Sequence, residues 1–105
     1  MYEYFGATKR FRQQVNSEPT INIPFSGEIF AGIKFIEPLP EEIKEWRIID
    51  NQHRVAVDWM PTKVTHASCQ LRVPISGQVM IQLAYHKEIS FIIDYSALLY
   101  FREQI

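Results

Sequence analysis

The sequence is poorest in the residues that announce a function most sharply. It has a single cysteine, Cys69, among 105 residues, which excludes an internal disulfide framework and any zinc site built from several thiolates of one chain. Its four glycines leave little from which to build a phosphate-cradling loop. The stretch Gly27-Glu-Ile-Phe-Ala-Gly32-Ile-Lys34 has a suggestive glycine spacing. Its lysine is displaced by one, however, the Ser or Thr is missing, and apolar strand formers fill the interval. Eleven Lys and Arg against twelve Asp and Glu give a net charge of −1, so no global field draws the chain to nucleic acid or anionic lipid. The longest apolar runs, such as Phe91-Ile92-Ile93 and Ala97-Leu98-Leu99-Tyr100-Phe101, fall far short of the ~20 residues a membrane helix needs. The basic cluster Lys9, Arg10 and Arg12 follows the first aromatics instead of preceding an apolar stretch, and neither end carries a lipidation signal. A soluble, cytoplasmic protein that uses no membrane and no cofactor is the expectation.

What the sequence does hold is the material of a small β domain. Hydrophobic residues make up 47% and charged residues 22%, the balance of one ordinary globular domain over residues 1–105. Alternation predicts strands at Thr20–Phe25, with Ile21, Ile23 and Phe25 on one face, and at 66–75, with Ala67, Cys69, Leu71, Val73 and Ile75 on one face. Further strands are predicted from Val79 to Tyr85 and from Ile89 to Tyr95, and 28–36 reads as a strand apolar on both faces. Residues 46–50 and 53–59 read as a hairpin joined through Asn51-Gln52, with Val55, Val57 and Trp59 on one side. Pro40 ahead of Glu41 and Glu42 suits the first turn of a short helix over 41–46. Residues 3–15 suit an amphipathic helix, with an extended aromatic arm as the rival, and 97–103 suits either a terminal helix or a last strand. The expected fold is therefore mainly β, with α+β as its variant: a small barrel or sandwich carrying short N-terminal and middle helices.

An internal repeat supports that expectation. Residues 21–35 align with 71–85, with Pro24/Pro74, Ser26/Ser76 and Gly27/Gly77 identical and Ile23/Val73, Ile33/Leu83 and Phe35/Tyr85 close. Alternating strands match at apolar positions by default. A proline recurring at one phase of a strand does not, because it cannot donate to a ladder. A duplicated strand–turn–strand unit, its copies paired about a pseudo-two-fold axis, accounts for the recurrence.

The groups that could carry chemistry are scattered. His66 and Cys69 are three apart on a strand, so the pleat turns them to opposite faces. His53 shares the phase of Val55 and Val57 and is the candidate base for Cys69 across the fold; a structural thiol and a turn histidine is the simpler account. Glu41, Glu42 and Glu45 surround one helical turn but lack the spacing and the turn glycine of a calcium loop. Asp58 and Asp94, on strands among apolar residues, are candidate buried acids.

Elimination and composition together point to a non-catalytic protein that binds another protein. It would either neutralise a partner enzyme, as immunity and anti-defence proteins do, or serve as a small subunit of a larger assembly, with self-association compatible with both. Aromatics total 13%, and interfaces favour Trp, Tyr and Arg as anchors. Trp46, with Glu41, Glu42, Glu45 and Arg47 around it, has the mix of an anchor in a charged rim, while Trp59 is expected in the core. The alternative is a nucleic-acid-binding β-barrel in which Lys9, Arg10, Phe11 and Arg12 combine phosphate contacts with base stacking. It ranks second because three cations are a thin electrostatic footprint.

Overall fold

In the computed structural model, residues 2–24, 28–72, 78–85 and 88–104 are described. They form eight strands: β1 (Tyr2–Asn16), β2 (Thr20–Ile23), β3 (Ile29–Phe35), β4 (Ile43–Asp50), β5 (Val55–Pro61), β6 (His66–Arg72), β7 (Val79–Tyr85) and β8 (Ser90–Gln104). Two four-stranded antiparallel sheets result, sheet I in the order β1-β8-β3-β6 and sheet II in the order β2-β7-β4-β5. The pairs β1·β8, β2·β7, β3·β6 and β4·β5 are those of one long ribbon folded at the β4–β5 turn and wound on itself. This is jelly-roll connectivity. The strand orders do not close into a barrel, so of the two expected forms the chain takes the sandwich.

The inner faces share one core. Sheet I contributes Val15, Phe30, Ile33, Phe35, Ile93, Tyr95, Ala97 and Leu99; sheet II contributes Ile21, Ile23, Ile43, Trp46, Ile48, Val79, Ile81 and Leu83. Phe35 and Trp46 join the sheets at the centre, their rings 4.9 Å apart and 89° to one another. The edge-to-face arrangement suits the ring quadrupoles. The Tyr95 ring packs on Phe11, and its hydroxyl donates to Gln13 Oε1.

No helix occurs among the described residues, so none is long and apolar enough to cross a membrane. The helix expected over 41–46 is a single turn, closed by the Ile43 N–H on the Pro40 carbonyl at 3.0 Å, which leads directly into β4. The apolar spacing from Ile43 to Trp46 imitates a helical period because the β4·β7 register shifts between Ile43 and Glu45, setting both residues inward. Residues 3–15 form strand β1, closer to the extended arm than to the helix: Phe11, Gln13 and Val15 alternate inward while Arg10, Arg12 and Gln14 face solvent. Strand β8 runs through 97–103 with no terminal helix.

A second bulge explains why 28–36 reads as apolar on both faces. The register of β3 shifts between Phe30 and Gly32 against both neighbours. Phe30 therefore faces the core before the shift, and Ile33 and Phe35 face it after. Gly32 is required there, since a Cβ would lie 2.8 Å from the Ala67 carbonyl oxygen and its φ is +159°.

The two repeat segments do not form separate hairpins. Each spans both sheets, and each strand pairs with a strand of the other segment, β2 with β7 and β3 with β6. Exchanging the segments carries the pair Ile21↔Ile81 onto Ala31↔Leu71; the observed partner of Leu71 is Phe30, one residue away at the bulge. The Ser26-Gly27, Ser76-Gly77 and His86-Lys87 turns lie outside the described residues.

Candidate binding faces

The expected chemical groups are held apart or held inert. Cys69 lies on β6 in sheet I, half-buried, with its Sγ 4.0 Å from the Phe30 carbonyl oxygen. Burial pushes its thiol up to about 11, which leaves almost no nucleophilic thiolate near neutral pH. His53 is exposed in the β4–β5 turn of the other sheet, at φ 61°, and His66 is exposed. Asp94 is buried on the outer face of sheet I, where Arg10 Nε donates to its Oδ1 at 2.9 Å and Nη2 to its Oδ2 at 2.6 Å. That bidentate grip holds the Asp94 carboxyl below the usual carboxylate range. Asp58 is exposed on β5.

A further buried acid, Asp50, closes the β4–β5 turn. Its burial acts to raise its pKa, but the N–H groups of Arg54 and Gln52 and the Arg54 guanidinium together outweigh that and bring it below the ordinary value. The carboxylate serves as a turn staple. No group of three or more metal-ligating side chains occurs among the described residues.

The two tryptophans exchange their expected places. Trp46 is 0% exposed, and its Nε1 donates to the Val64 carbonyl at 2.9 Å. Its ring is thus walled in by the core and presents nothing to a partner. Trp59 is half-buried and lies outside the core cluster. The Arg47 guanidinium stacks over its ring at 4.6 Å, and Arg47 Nε donates to Gln82 Oε1 at 2.5 Å. Thr20, Gln82 and Arg47 occupy one row across β2, β7 and β4, and Trp59 on β5 continues it. Of the residues expected around Trp46, Arg47 therefore belongs to the outer face of sheet II, Glu45 is exposed on the same strand, and Glu41 and Glu42 are exposed in the preceding turn. A shallow hollow of about 570 Å³ adjoins this face, lined in part by Lys44, Glu45 and Ala84.

The basic–aromatic segment is likewise divided by the pleat of β1. Phe11 turns inward against Tyr95, so it offers no face for base stacking. Lys9 sits over the Phe101 ring at 5.1 Å, Arg10 is bound to Asp94, and Arg12 is exposed. On the outer face of sheet I, Arg10 shares a row with Ser96, Lys34 and His66. Two rows away stand Gly6, Tyr100, Ile29 and Arg72, above a hollow of about 540 Å³. Tyr100 and Arg72 were not singled out by local sequence patterns, and Trp59 was assigned by them to the core. For Tyr100 the usable signal was phase: Leu98 and Tyr100 alternate with the buried Ala97 and Leu99. Comparison of the chain with protein families, curated proteins and solved structures gives no significant match.

Proposed function

We propose that this protein is a non-catalytic protein-binding module that grips its partner with the outer face of sheet II. The observation that carries the reading is the position of Trp59: a large ring outside the core, held on a sheet face under the Arg47 guanidinium with Gln82 fixing the arginine. Trp and Arg at the centre of a patch are the commonest energetic anchors of interfaces. Glu45 and Lys44 supply a charged rim on the same strand. Three further observations favour binding over chemistry. The thiol of Cys69 is kept protonated, and Asp50 and Asp94 are each committed to an arginine. The reading covers a subunit of a larger assembly and an inhibitor that occupies an enzyme.

Affinity capture from an extract of the native host tests it. The immobilised chain retains a protein that Trp59→Ala and Arg47→Ala no longer retain, with both variants folded by circular dichroism. If the captured protein is an enzyme whose activity the chain blocks, the inhibitor form is selected; an unblocked or non-enzymatic partner selects the assembly form. Retention undiminished by Trp59→Ala overturns the assignment of this face.

A further inference from the structure

We propose a second binding site, independent of the first, in which the outer face of sheet I holds single-stranded nucleic acid. Three consecutive rows cross all four strands of this sheet: Gly6–Tyr100–Ile29–Arg72, Thr8–Leu98–Gly32–Ser68 and Arg10–Ser96–Lys34–His66. None of them contains a carboxylate. The next row adds Arg12 opposite Asp94, and the opposite end adds Tyr4 opposite Arg102. Five cations thus share the face, and its carboxylates Asp94 and Glu28 are both consumed, by Arg10 at 2.6 Å and Arg102 at 3.3 Å. Glu37, just past the end of β3, adds an attraction to Arg10. Neither Arg12 nor Lys34 forms a salt bridge among the described residues, and Arg12 lies near enough to Asp94 to help lower its carboxyl. On a chain of net charge −1, this concentration of positive charge on one face leaves the remaining surface acidic and orients an anionic ligand toward sheet I.

The aromatic end of the face decides the class of anion. Gly6 leaves room for the Tyr100 ring beside it: a Cβ built on Gly6 would sit 3.0 Å from Cε1 of that ring and 3.4 Å from Cζ. Half-buried Tyr100 thus gives this end of the face an aromatic ring against which an unpaired base can stack. Tyr4, 41% exposed, stands diagonally beside it, with the Arg72 guanidinium 6.0 Å from its ring centre. From Tyr100 to the row of Ser96 and Lys34 is roughly 13 Å along the strand, so a strand stacked at the tyrosines carries its backbone toward Lys34 and Arg12. An acidic peptide would meet the cations equally well but would make no use of the two tyrosine rings beside them.

Fluorescence anisotropy of labelled oligothymidylate and oligouridylate of about twelve nucleotides tests the proposal. With three phosphates met by Arg12, Lys34 and Arg72, raising salt from about 50 to about 200 mM weakens binding about 20-fold. Combining Arg12→Glu with Lys34→Glu, both at exposed positions, reduces that salt effect to about 3-fold as well as weakening binding. Tyr4→Ala and Tyr100→Ala each weaken binding by about 5-fold or more in protein that remains folded by circular dichroism. Lys63→Glu, a charge reversal made off this face at an exposed position, alters affinity less than about 2-fold. Absence of binding by the unmodified chain at about 50 mM salt overturns the site. So does binding indifferent to both tyrosines, or displacement by polyglutamate as effective as by an oligonucleotide of equal charge, which would make the ligand an acidic protein.

Discussion

Replacing each tryptophan in turn separates the core from the binding face. Trp46→Ala removes a ring that is fully enclosed, packed edge-on to Phe35, and hydrogen-bonded through Nε1 to Val64. Emptying such a site costs about 3–5 kcal/mol, against a total stability of roughly 5–15 kcal/mol for a domain of this size. Trp46→Phe keeps most of the volume but strands the Val64 carbonyl, at a cost of about 1–3 kcal/mol. Trp59→Ala removes a half-buried ring from outside the core together with its stacking on Arg47, and costs about 2 kcal/mol once the lost apolar cover is included. Urea unfolding followed by far-ultraviolet circular dichroism reads all three, because that signal does not depend on the tryptophan removed. The expected midpoints put Trp46→Ala lowest, with Trp59→Ala and Trp46→Phe both above it and slopes unchanged. Equal losses for the two alanine variants, or a greater loss at Trp59, would refute the placement of the rings and with it the choice of sheet II as a binding face.

Three other predictions follow from single residues. Gly32→Ala forces a methyl against the Ala67 carbonyl at 2.8 Å and lowers stability by about 2 kcal/mol or more in the same urea assay; a neutral outcome would mean that β3 and β6 separate easily at the bulge. The carboxyls of Asp94 and Asp50 are both depressed in the folded state. Their contribution is complete above the unfolded value near pH 4 and is lost as pH falls through the folded values. Stability measured against pH therefore declines below about pH 4, and Arg10→Ala both lowers stability at neutral pH and flattens that decline; an unaltered slope would disprove the role of the Arg10–Asp94 pair. Cys69, its thiol raised to about 11, reacts with iodoacetamide at pH 8 roughly 100-fold more slowly folded than unfolded, and thiol-reaction rates at equal pH that match in the two states would contradict its burial.

The sequence was readable wherever a strand keeps a strict period of two. Val79–Tyr85 was located to the residue, and the strand starting at His66 was located at its first residue, because the burial of each alternates. It misled where bulges intervene. The shift between Ile43 and Glu45 turns a strand into an apparent helical spacing, and the shift at Gly32 makes both faces of β3 look apolar. Strand β1 was ambiguous for a different reason: it lies at the edge of sheet I, where half of its residues face solvent and polar side chains such as Gln13 occupy inward positions. Long-range pairing was the least legible feature. The repeat showed that 21–35 and 71–85 are alike, but not that each spans both sheets.

The candidate site was legible in kind and misplaced in detail. Tryptophan, tyrosine and arginine were recognised as anchors, yet Trp46 and Trp59 are both bordered by charged or polar neighbours, and no local pattern tells which one turns inward. The decision rests on register. Trp46 is opposite Leu83 on β7 and shares its inward face, whereas Trp59 falls where the β4·β5 register shifts, between Met60 opposite Trp46 and Val57 opposite Ile48. The divided fate of Lys9, Arg10, Phe11 and Arg12 has the same origin, since a strand sends neighbouring side chains to opposite faces.

The most direct test is the affinity of the captured partner for the chain with and without Trp59, measured by titration calorimetry on proteins of verified fold. The account predicts that Trp59→Ala weakens the complex by about 2 kcal/mol or more, roughly 30-fold in Kd. An unchanged Kd would contradict it and return Trp59 to a purely structural role.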